Sequence, residues 1–162
     1  MPTEILVVSD THGDHKCLEE ILELLKSKDM LIHLGDNYED FLWLKKRVDI
    51  KAIGVKGNCD LFSNGKEIEL IKVEEVNIML THGHDFGVKS GLLNLLYYGL
   101  ERKAQLILFG HTHIGYNDKY EGVNLFNPGS PVMPRGMSKA SYGNVTIEGN
   151  KFSCEIKKRK KY

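Results

Sequence analysis

The sequence predicts an α/β protein built on a parallel sheet. In the first 60 residues, three short apolar strands alternate with two amphipathic helices over short connections. This β-α-β-α-β order is the signature of a right-handed parallel sheet. A polar side chain of metal-binding type follows each strand directly, and ligands bind beyond the carboxyl ends of strands in such sheets.

The composition is that of an ordinary globular domain. The chain has 162 residues, 41% hydrophobic and 27% charged, which predicts one domain with a substantial core. Its 22 basic and 22 acidic residues cancel, which argues against a nucleic-acid partner. No leader or membrane-length apolar run is seen, and the three cysteines lack Cys-x-x-Cys spacing. We therefore expect a reduced, cytoplasmic protein without a membrane partner.

Apolar periodicity predicts the elements in chain order. The first strands cover residues 5–8, 30–34 and 50–55, and the first helix covers about 16–26. Phe41, Leu44 and Val48 stripe the second helix. Strands follow at 68–73 and 76–80, then a leucine-rich helix at 92–100 and a strand at 106–109. Only strands are expected beyond, at 116–120, at 123–126 and in a hairpin around Gly149-Asn150.

Seven side chains with metal-binding chemistry follow five of these strands. They are Asp10, His12, Asp36, Asn58, His82, His111 and His113. From 10 to 36, 58 and 82 the intervals are 26, 22 and 24 residues, and the first two suit strand-helix units that return to one sheet edge. Carboxylate, amide and imidazole without thiolate suit Mn, Fe, Co, Ni or Zn.

The number of ligands suits two ions. If Asp36 bridges them, the seven residues supply four contacts to each ion, which leaves room for water and substrate. The ions' charge would exceed that of Asp10 and Asp36, so the site should attract an anionic phosphate. Paired ions roughly 3.5–4 Å apart can hold a hydroxide and stabilise an in-line displacement. The residues therefore predict phosphoester hydrolysis.

The same residues lie in five ordered motifs: Asp10-Thr-His12, Gly35-Asp36, Gly57-Asn58-Cys59-Asp60, His82 and Gly110-His-Thr-His113. Together they resemble the calcineurin-like metallophosphoesterase superfamily. With the Asn-Pro-Gly-Ser segment at 127–130, the resemblance covers about residues 5 to 130. The compact size and the Gly-Asn-Cys-Asp form are most similar to the small prokaryotic phosphodiesterases of this superfamily.

The resemblance implies a single metallophosphoesterase domain over residues 1–162, with a short basic tail at 157–162. Its fold would be a four-layer α/β/β/α sandwich of two mixed β-sheets, the metallo-dependent phosphatase-like fold. Its function would be a dinuclear divalent-metal-dependent phosphodiesterase, in which a metal-bound hydroxide attacks a small phosphodiester substrate. Manganese is the first choice of metal, with Ni, Co, Fe or Zn as alternatives.

The resemblance also assigns the ligands. One ion would take Asp10, His12, Asp36 and His113, and the other would take Asp36, Asn58, His82 and His111. His82 is preferred to His84 because it follows its strand directly.

Position 59 departs from the family pattern. Many relatives have a histidine where this chain has Cys59, and a thiol of ordinary pKa, about 8.5, is a poorer acid for the leaving group. We therefore expect a preference for diesters with good leaving groups over alkyl monoesters. His84 is the candidate substitute acid, so the predicted catalytic residues are Asp36, Asn58 and His84.

Several other residues have structural interpretations. We expect His33 to be packed and hydrogen-bonded, His15 to face solvent, and Asp60 to cap a turn or orient a ligand. The Asn-Pro-Gly-Ser segment is interpreted as a turn, which the family resemblance places beside the cleft. Arg135 could bind phosphate, but a loop arginine is more often simply solvated, and the basic tail is interpreted as a solvated terminus. The leucine-rich helix is core, a lid or a subunit contact.

Two other functions stay open. The fold can serve as a non-catalytic metal-binding scaffold, with the retromer subunit as the precedent by resemblance. A nuclease would use the same chemistry on a larger substrate, but the zero net charge argues against it. The sequence leaves open the physiological substrate, the native metal and whether the chain forms a homo-oligomer.

Overall fold

The computed structural model describes residues 1–160, which form three α-helices and ten strands in the predicted order. The helices are α1 (His15–Leu25), α2 (Tyr38–Lys45) and α3 (Leu93–Glu101). The strands are β1 (Thr3–Val8), β2 (Met30–His33), β3 (Lys51–Gly54), β4 (Ile68–Val73), β5 (Val76–Thr81), β6 (Leu106–Leu108), β7 (Gly115–Tyr120), β8 (Val123–Pro128), β9 (Ser141–Glu148) and β10 (Lys151–Lys158). One 3-10 turn covers His84–Phe86.

The strands form two mixed sheets of five strands each. The first sheet has the order β10-β9-β1-β2-β3, and the second has the order β4-β5-β6-β8-β7. In the first sheet β1, β2 and β3 run parallel, as the alternation of strands and helices predicts. In the second sheet β5, β6 and β8 run parallel. The parallel strands matter for function because their carboxyl ends share an edge.

The sheets pack face to face, with helices on the two outer faces. Ile5 and Ile32 of the first sheet share a buried cluster with Leu80 and Leu108 of the second. On the outer face of the first sheet, α1 and α2 bury a second cluster, and α3 buries a third against the other sheet. These four layers confirm the α/β/β/α sandwich. The leucine-rich helix is core on one side, although Leu93 remains exposed.

Side chains set the helix starts. Asp14 caps α1, because its carboxylate accepts a hydrogen bond from the Cys17 amide at 2.9 Å. Asn37 caps α2 in the same way, so this helix begins at Tyr38, before the apolar stripe that predicted it. Among residues 1–160, no helix combines the length and the apolar character needed to cross a membrane.

The expectation of a solvated basic tail agrees with the exposed side chains of Lys157 and Lys158, but their backbone belongs to a strand rather than a free terminus. β10 pairs with β9 as far as Lys158, opposite Ser141. Arg159 then places its guanidinium against the Glu20 carboxylate of α1, with Nε–Oε2 and Nη2–Oε1 distances of 2.6 and 3.0 Å. The strand ladder and this ion pair hold the segment against the domain. Residues 161 and 162 of the predicted tail lie outside the described residues.

Candidate metal centre

The predicted ligands follow five strand ends that meet at one edge of the sandwich. Asp10 and His12 follow β1, and Asp36 follows β2. Asn58 follows β3, while His82 and the His111–His113 loop follow β5 and β6. Contacts cross between the sheets: His82 Nε2 lies 3.4 Å from Asp36 Oδ2 and 3.8 Å from Asp10 Oδ1. The structure therefore unites side chains from both sheets, which the sequence intervals alone did not show.

Backbone hydrogen bonds continue the ladders into the loops beyond the strands. The Asp10 amide donates to the Gly35 carbonyl at 2.9 Å, and the Gly110 amide donates to the His82 carbonyl at 2.9 Å. Five of the seven predicted ligands adopt positive φ, between 43° and 70°: Asp10, His12, Asp36, His111 and His113. Left-handed backbone at non-glycine residues costs energy and concentrates at functional sites. The loops are thus held in shapes that aim these side chains inward.

Asp10 is the centre of the cluster. Its Oδ2 accepts hydrogen bonds from the Ser9 hydroxyl at 2.6 Å and the His111 amide at 3.2 Å. Its Oδ1 is buried without a well-oriented hydrogen bond. The Nε2 atoms of His113, His82 and His12 lie 3.1, 3.8 and 3.9 Å from Oδ1. A buried carboxylate oxygen facing three ring nitrogens is unfavourable unless a cation or proton joins them, so the donor set fits a divalent metal.

Two overlapping groups of side chains could each hold an ion. Asp10, His12 and His113 form one group, and Asp10, Asp36 and His82 form the other, with the ligand atoms of each group within 4.8 Å of one another. The carboxylate common to both groups is Asp10. Bridging by Asp36, which the resemblance implied, stays a prediction.

Second hydrogen bonds orient two of the imidazoles. His82 donates from Nδ1 to the Leu34 carbonyl at 2.7 Å, and His113 donates from Nδ1 to the Met133 carbonyl at 2.7 Å. A neutral ring with its proton on Nδ1 presents a lone pair at Nε2. In both residues Nε2 faces Asp10. Such a carbonyl behind the ring is the usual support of a metal-binding histidine.

Electrostatics keeps both carboxylates ionised. Burial raises the pKa of Asp36, but the hydrogen bond and charge of His82 in its protonated form outweigh burial and hold the pKa well below its usual range. Burial likewise opposes ionisation of Asp10, whose net pKa is lowered by His113, His82 and Ser9. Burial and the charges of His82 and Lys89 lower the pKa of His111 to about 4, so this ring is neutral at pH 7.

Two glycines make room for the carboxylates. A Cβ at Gly57 would lie 2.1 Å from Asp36 Oδ1, and a Cβ at Gly110 would lie 2.1 Å from Ser9 Oγ and 3.0 Å from Asp10 Oδ2. These contacts leave no space for any side chain. The glycines of the Gly-Asn and Gly-His motifs are therefore needed for close packing of the loops around the site.

Asp60 supports the site, as one of its two structural interpretations predicted. It is buried, and its carboxylate accepts hydrogen bonds from the amides of Asp36 at 3.0 Å, Tyr38 at 2.9 Å and Gly57 at 2.8 Å. One side chain thus ties the Asp36 loop to the loop that carries Asn58.

A second buried network was missed by the sequence reasoning. Asp40 of α2 accepts hydrogen bonds from the Thr11 hydroxyl at 2.6 Å and the Gly13 amide at 2.8 Å. Thr11 Oγ1 also lies 3.0 Å from Nε2 of His33, whose Nδ1 accepts from the Gly35 amide at 3.1 Å. His33 is therefore packed and hydrogen-bonded, as predicted. Nothing in the local sequence distinguishes Asp40 from an exposed acid in the first turn of a helix.

The Asn-Pro-Gly-Ser segment lies beside the site. Asn127 donates to the Gly110 carbonyl at 3.0 Å, and Ser130 donates to the Asp10 carbonyl at 2.8 Å. Together with the Ser9 hydroxyl, these groups brace the loops from behind. Sequence reasoning did not identify Ser9, because a serine at a strand end is common in any loop.

The loop that carries Asn58 adjoins Asp36, but the side chain of Asn58 is exposed. The backbone amide of Cys59 donates to Asp36 Oδ1 at 3.0 Å, and the side-chain Nδ2 of Asn58 lies 3.9 Å from Cys59 Sγ. Ligation by Asn58 stays a prediction. Desolvation of the thiol and the neighbouring Asp36 carboxylate raise the pKa of Cys59 to about 11, so the thiol is protonated at neutral pH.

His84 lies at the edge of the imidazole cluster. Its ring centroid is 5.5 Å from that of His82 and 6.2 Å from that of His111. The Nε2 atom is 3.5 Å from Asp85 Oδ1, while Nδ1 is buried without a hydrogen bond. This position fits a group beside the ions rather than a ligand in either of the two groups. His15, by contrast, is exposed on α1, as predicted.

Comparisons with known proteins agree with this architecture. The family model for the calcineurin-like phosphoesterase superfamily domain matches residues 3–150. The probable metallophosphoesterase YsnB of Bacillus subtilis is 35% identical over 147 residues, 90% of this chain and 85% of that protein. The phosphodiesterase YfcE of Escherichia coli is 30% identical over 165 aligned positions, 86% of this chain and 85% of that protein.

Solved structures show the same fold. A conserved uncharacterized protein of Streptococcus pneumoniae superposes with a TM-score of 0.81 and 27% identity, over 96% of this chain and 89% of that chain. Vps29 of Entamoeba histolytica, solved in complex with zinc, superposes with a TM-score of 0.73 over 95% of this chain and 98% of that chain. Its 21% identity supports likeness of fold alone. From its sequence match and its fold, this chain belongs to the calcineurin-like phosphoesterase superfamily.

Proposed function

We propose that the protein is a divalent-metal-dependent phosphodiesterase with a dinuclear centre. The observation that carries the proposal is Asp10 Oδ1, which is buried without a hydrogen bond and faces three imidazole nitrogens. Membership of the superfamily and likeness to proteins named metallophosphoesterase and phosphodiesterase support the same reaction class.

The chain's own residues would divide between two ions. Asp10, His12 and His113 would hold one, and Asp36, His82, His111 and Asn58 would hold the other, with a carboxylate shared between them. Bound divalent ions would lower the pKa of a water and neutralise charge on the phosphate oxygens. The donor set suits manganese first, and Ni, Co, Fe or Zn as alternatives.

The remaining roles are ionisation of the carboxylates and protonation of the leaving group. The lowered pKa values of Asp36 and Asp10 keep both carboxylates ionised at neutral pH, so they would hold cations rather than protons. His84 is our candidate proton donor to the leaving alcohol, because its ring lies beside those of His82 and His111 without belonging to either group of ligands. The proposal includes a small phosphodiester as the substrate and the cytoplasm as the location of the protein.

Metal reconstitution tests the reaction. The protein is stripped with a chelator, single divalent ions are restored, and bis(4-nitrophenyl) phosphate is assayed beside 4-nitrophenyl phosphate. We expect turnover only with metal, and faster turnover of the diester. Binding of two ions per chain without turnover of either ester by any ion would instead favour the non-catalytic metal-binding scaffold.

Variants separate the metal site from the rest of the chain. Asp36→Ala should abolish ordered binding of two ions, measured by calorimetry, and reduce diester turnover by at least about 10³-fold. His15→Ala, which changes an exposed histidine of α1, should leave both unchanged. Full metal loading with retained turnover in Asp36→Ala would contradict the assignment.

A further inference from the structure

A cleft with a volume of about 540 Å³ opens beside the metal centre. Residues from four segments of the second sheet and its loops line it. The volume lies within the range of small-molecule sites, roughly 300–1,000 Å³.

The cleft is continuous with the loop that carries two predicted ligands. Thr112, in its lining, stands between His111 and His113 in the chain. The Arg135 amide donates to the His113 carbonyl at 3.0 Å, so the loop of Arg135 is anchored to the metal centre. A phosphate at the ions would therefore have the cleft next to it.

The walls of the cleft are mostly apolar. Leu92, Ile114 and Val88 supply aliphatic surface, and Phe109 and Tyr116 supply two rings whose centroids are 6.2 Å apart. Tyr116 is only partly buried, and Ile114 is 42% exposed. Partly exposed aromatic and aliphatic walls favour a flat, apolar ligand group.

The charged residues of the lining are both cations. Lys89 and Arg135 are exposed, and within residues 1–160 neither forms an ion pair. The chain as a whole carries no net charge, so a local excess of two positive charges in an apolar cleft is selective for anions. A cationic or amine-bearing group would be repelled there.

We propose that this cleft is the subsite for the organic group of the phosphoester substrate, and that this group is aromatic and carries a second negative charge. The inference rests on the proposed function, because the phosphate is taken to lie at the metal centre. The aromatic ring packs against Tyr116 and its aliphatic neighbours, and the second anion pairs with Lys89 and Arg135. The substrate class is thus an acidic aryl or arylalkyl phosphoester.

Binding of three phosphonates tests the subsite without depending on a leaving group. Methylphosphonate, benzylphosphonate and 4-carboxybenzylphosphonate are titrated calorimetrically into the manganese-loaded protein, and the carbon–phosphorus bond prevents hydrolysis. We expect benzylphosphonate to bind about 10-fold tighter than methylphosphonate through burial of its ring. The carboxylate should add about 3–10-fold through the two cations.

Variants of exposed residues assign each preference. Arg135→Glu should abolish the preference for the carboxylate, Lys89→Ala should weaken it about 3-fold, and Tyr116→Ala should lower the preference for benzyl over methyl. Lys119→Ala removes a positive charge from an exposed position of β7 outside the lining, and should leave all three affinities unchanged. Circular dichroism of each variant verifies folding.

The outcomes separate the two proposals. Turnover of the diester with no phosphonate preference, or with a preference that Arg135→Glu leaves intact, would overturn the subsite and leave the phosphodiesterase standing. No turnover with any ion, together with a carboxylate preference lost in Arg135→Glu, would overturn the phosphodiesterase while confirming an anion-selective cleft.

Discussion

Asp10 has two carboxylate oxygens with different tasks. One is held by the Ser9 hydroxyl and the His111 amide, and the other faces three imidazoles. Asp36 also lies between a backbone donor, the Cys59 amide, and the ring of His82. Each carboxylate is thus oriented by the protein and offers one oxygen to the shared space. Because each carboxylate leaves one oxygen for the shared space, both residues are candidates for the position that bridges two ions.

Cys59 should set the preference for diesters. Its pKa is raised to about 11 by desolvation and by Asp36, so it is a weaker acid than the imidazole that many relatives carry. We expect Cys59→His to raise monoester turnover relative to diester turnover by at least about 10-fold, because general acid catalysis contributes about 10²–10⁴-fold. The measurement is kcat/KM for alkyl and aryl esters. An unchanged ratio would show that Cys59 does not set the preference.

His84 supplies the companion test. If it protonates the leaving group in place of Cys59, His84→Ala should slow esters with poor leaving groups most and 4-nitrophenyl esters least. A plot of rate against leaving-group pKa should therefore steepen. Equal slowing of all esters would assign His84 a structural role.

His33 should make the fold sensitive to mild acid. Burial lowers the pKa of His33 to about 4 from an ordinary 6.5, against the opposing charge of Asp40. As pH falls through 6.5 the unfolded chain takes up the proton first, so stability present at pH 7 is lost towards pH 4. In chelator, the wild type should lose on the order of 1–2 kcal/mol more of its unfolding free energy between pH 7 and 5 than His33→Gln.

The matched control is the exposed His15. His15→Gln should show the pH dependence of the wild type in the same urea titrations, since His15 lies on the solvent side of α1. The assignment to His33 would fail if His33→Gln lost stability as steeply as the wild type.

The elements themselves contribute position rather than chemistry. β1 and β2 lie next to each other in register, so their following loops run side by side and the Asp10 amide meets the Gly35 carbonyl. β5 and β6 do the same for His82 and Gly110 in the other sheet. Neighbouring loops from each sheet thus bring carboxylates and imidazoles to one point.

Asp60 is the link between two of these loops. Asp60→Ala would leave the amides of Asp36, Tyr38 and Gly57 without their acceptor. We expect a loss of about 2–4 kcal/mol in unfolding free energy and about 10–100-fold weaker metal binding. Chemical denaturation and calorimetry measure the two effects.

Asp49→Ala is the control for the loss of a carboxylate. Asp49 is exposed and makes no hydrogen bond among residues 1–160. This variant should keep both the stability and the metal affinity of the wild type. Metal affinity unchanged in Asp60→Ala would show that the ligand loops hold their shape without Asp60.

At the scale of the whole molecule, β10 is the edge strand of the first sheet, and the residue that follows it, Arg159, contacts α1. Arg159 is almost fully buried, donates to Glu20 in a fork and donates to the Pro131 carbonyl at 2.9 Å. We expect Arg159→Ala to lower the unfolding free energy by about 2–3 kcal/mol, because charged hydrogen bonds are lost and Glu20 loses its partner. Urea denaturation measures the loss.

Lys158→Ala serves as the comparison, since Lys158 is the exposed neighbour in β10. It should change stability by less than about 0.5 kcal/mol. Arg159→Lys should keep the charge but not the fork, and so recover part of the loss. A neutral Arg159→Ala would mean that the contacts of Arg159 with Glu20 and Pro131 do not stabilise the fold.

Local patterns were enough to predict the class of fold and to single out the candidate ligands. The strand of residues 5–8 and the helix near 16–26 follow from periodicity, because burial on one face imposes a repeat on neighbouring positions. The ligand types follow from the order of Asp, Asn and His at strand ends, because parallel strands return their carboxyl ends to one edge. The four-layer arrangement came from the family resemblance.

The tertiary structure alone decided which atoms meet. The contact of Asp10 with both ligand groups, the three amides on Asp60 and the Asp40–Thr11–His33 network join residues far apart in the chain. The same holds for the Arg159–Glu20 pair and for the cleft beside the metal centre. A periodic pattern indicates which face of a helix or strand packs against the core. A hydrogen bond between residues 22 to 139 positions apart depends instead on how whole sheets pack.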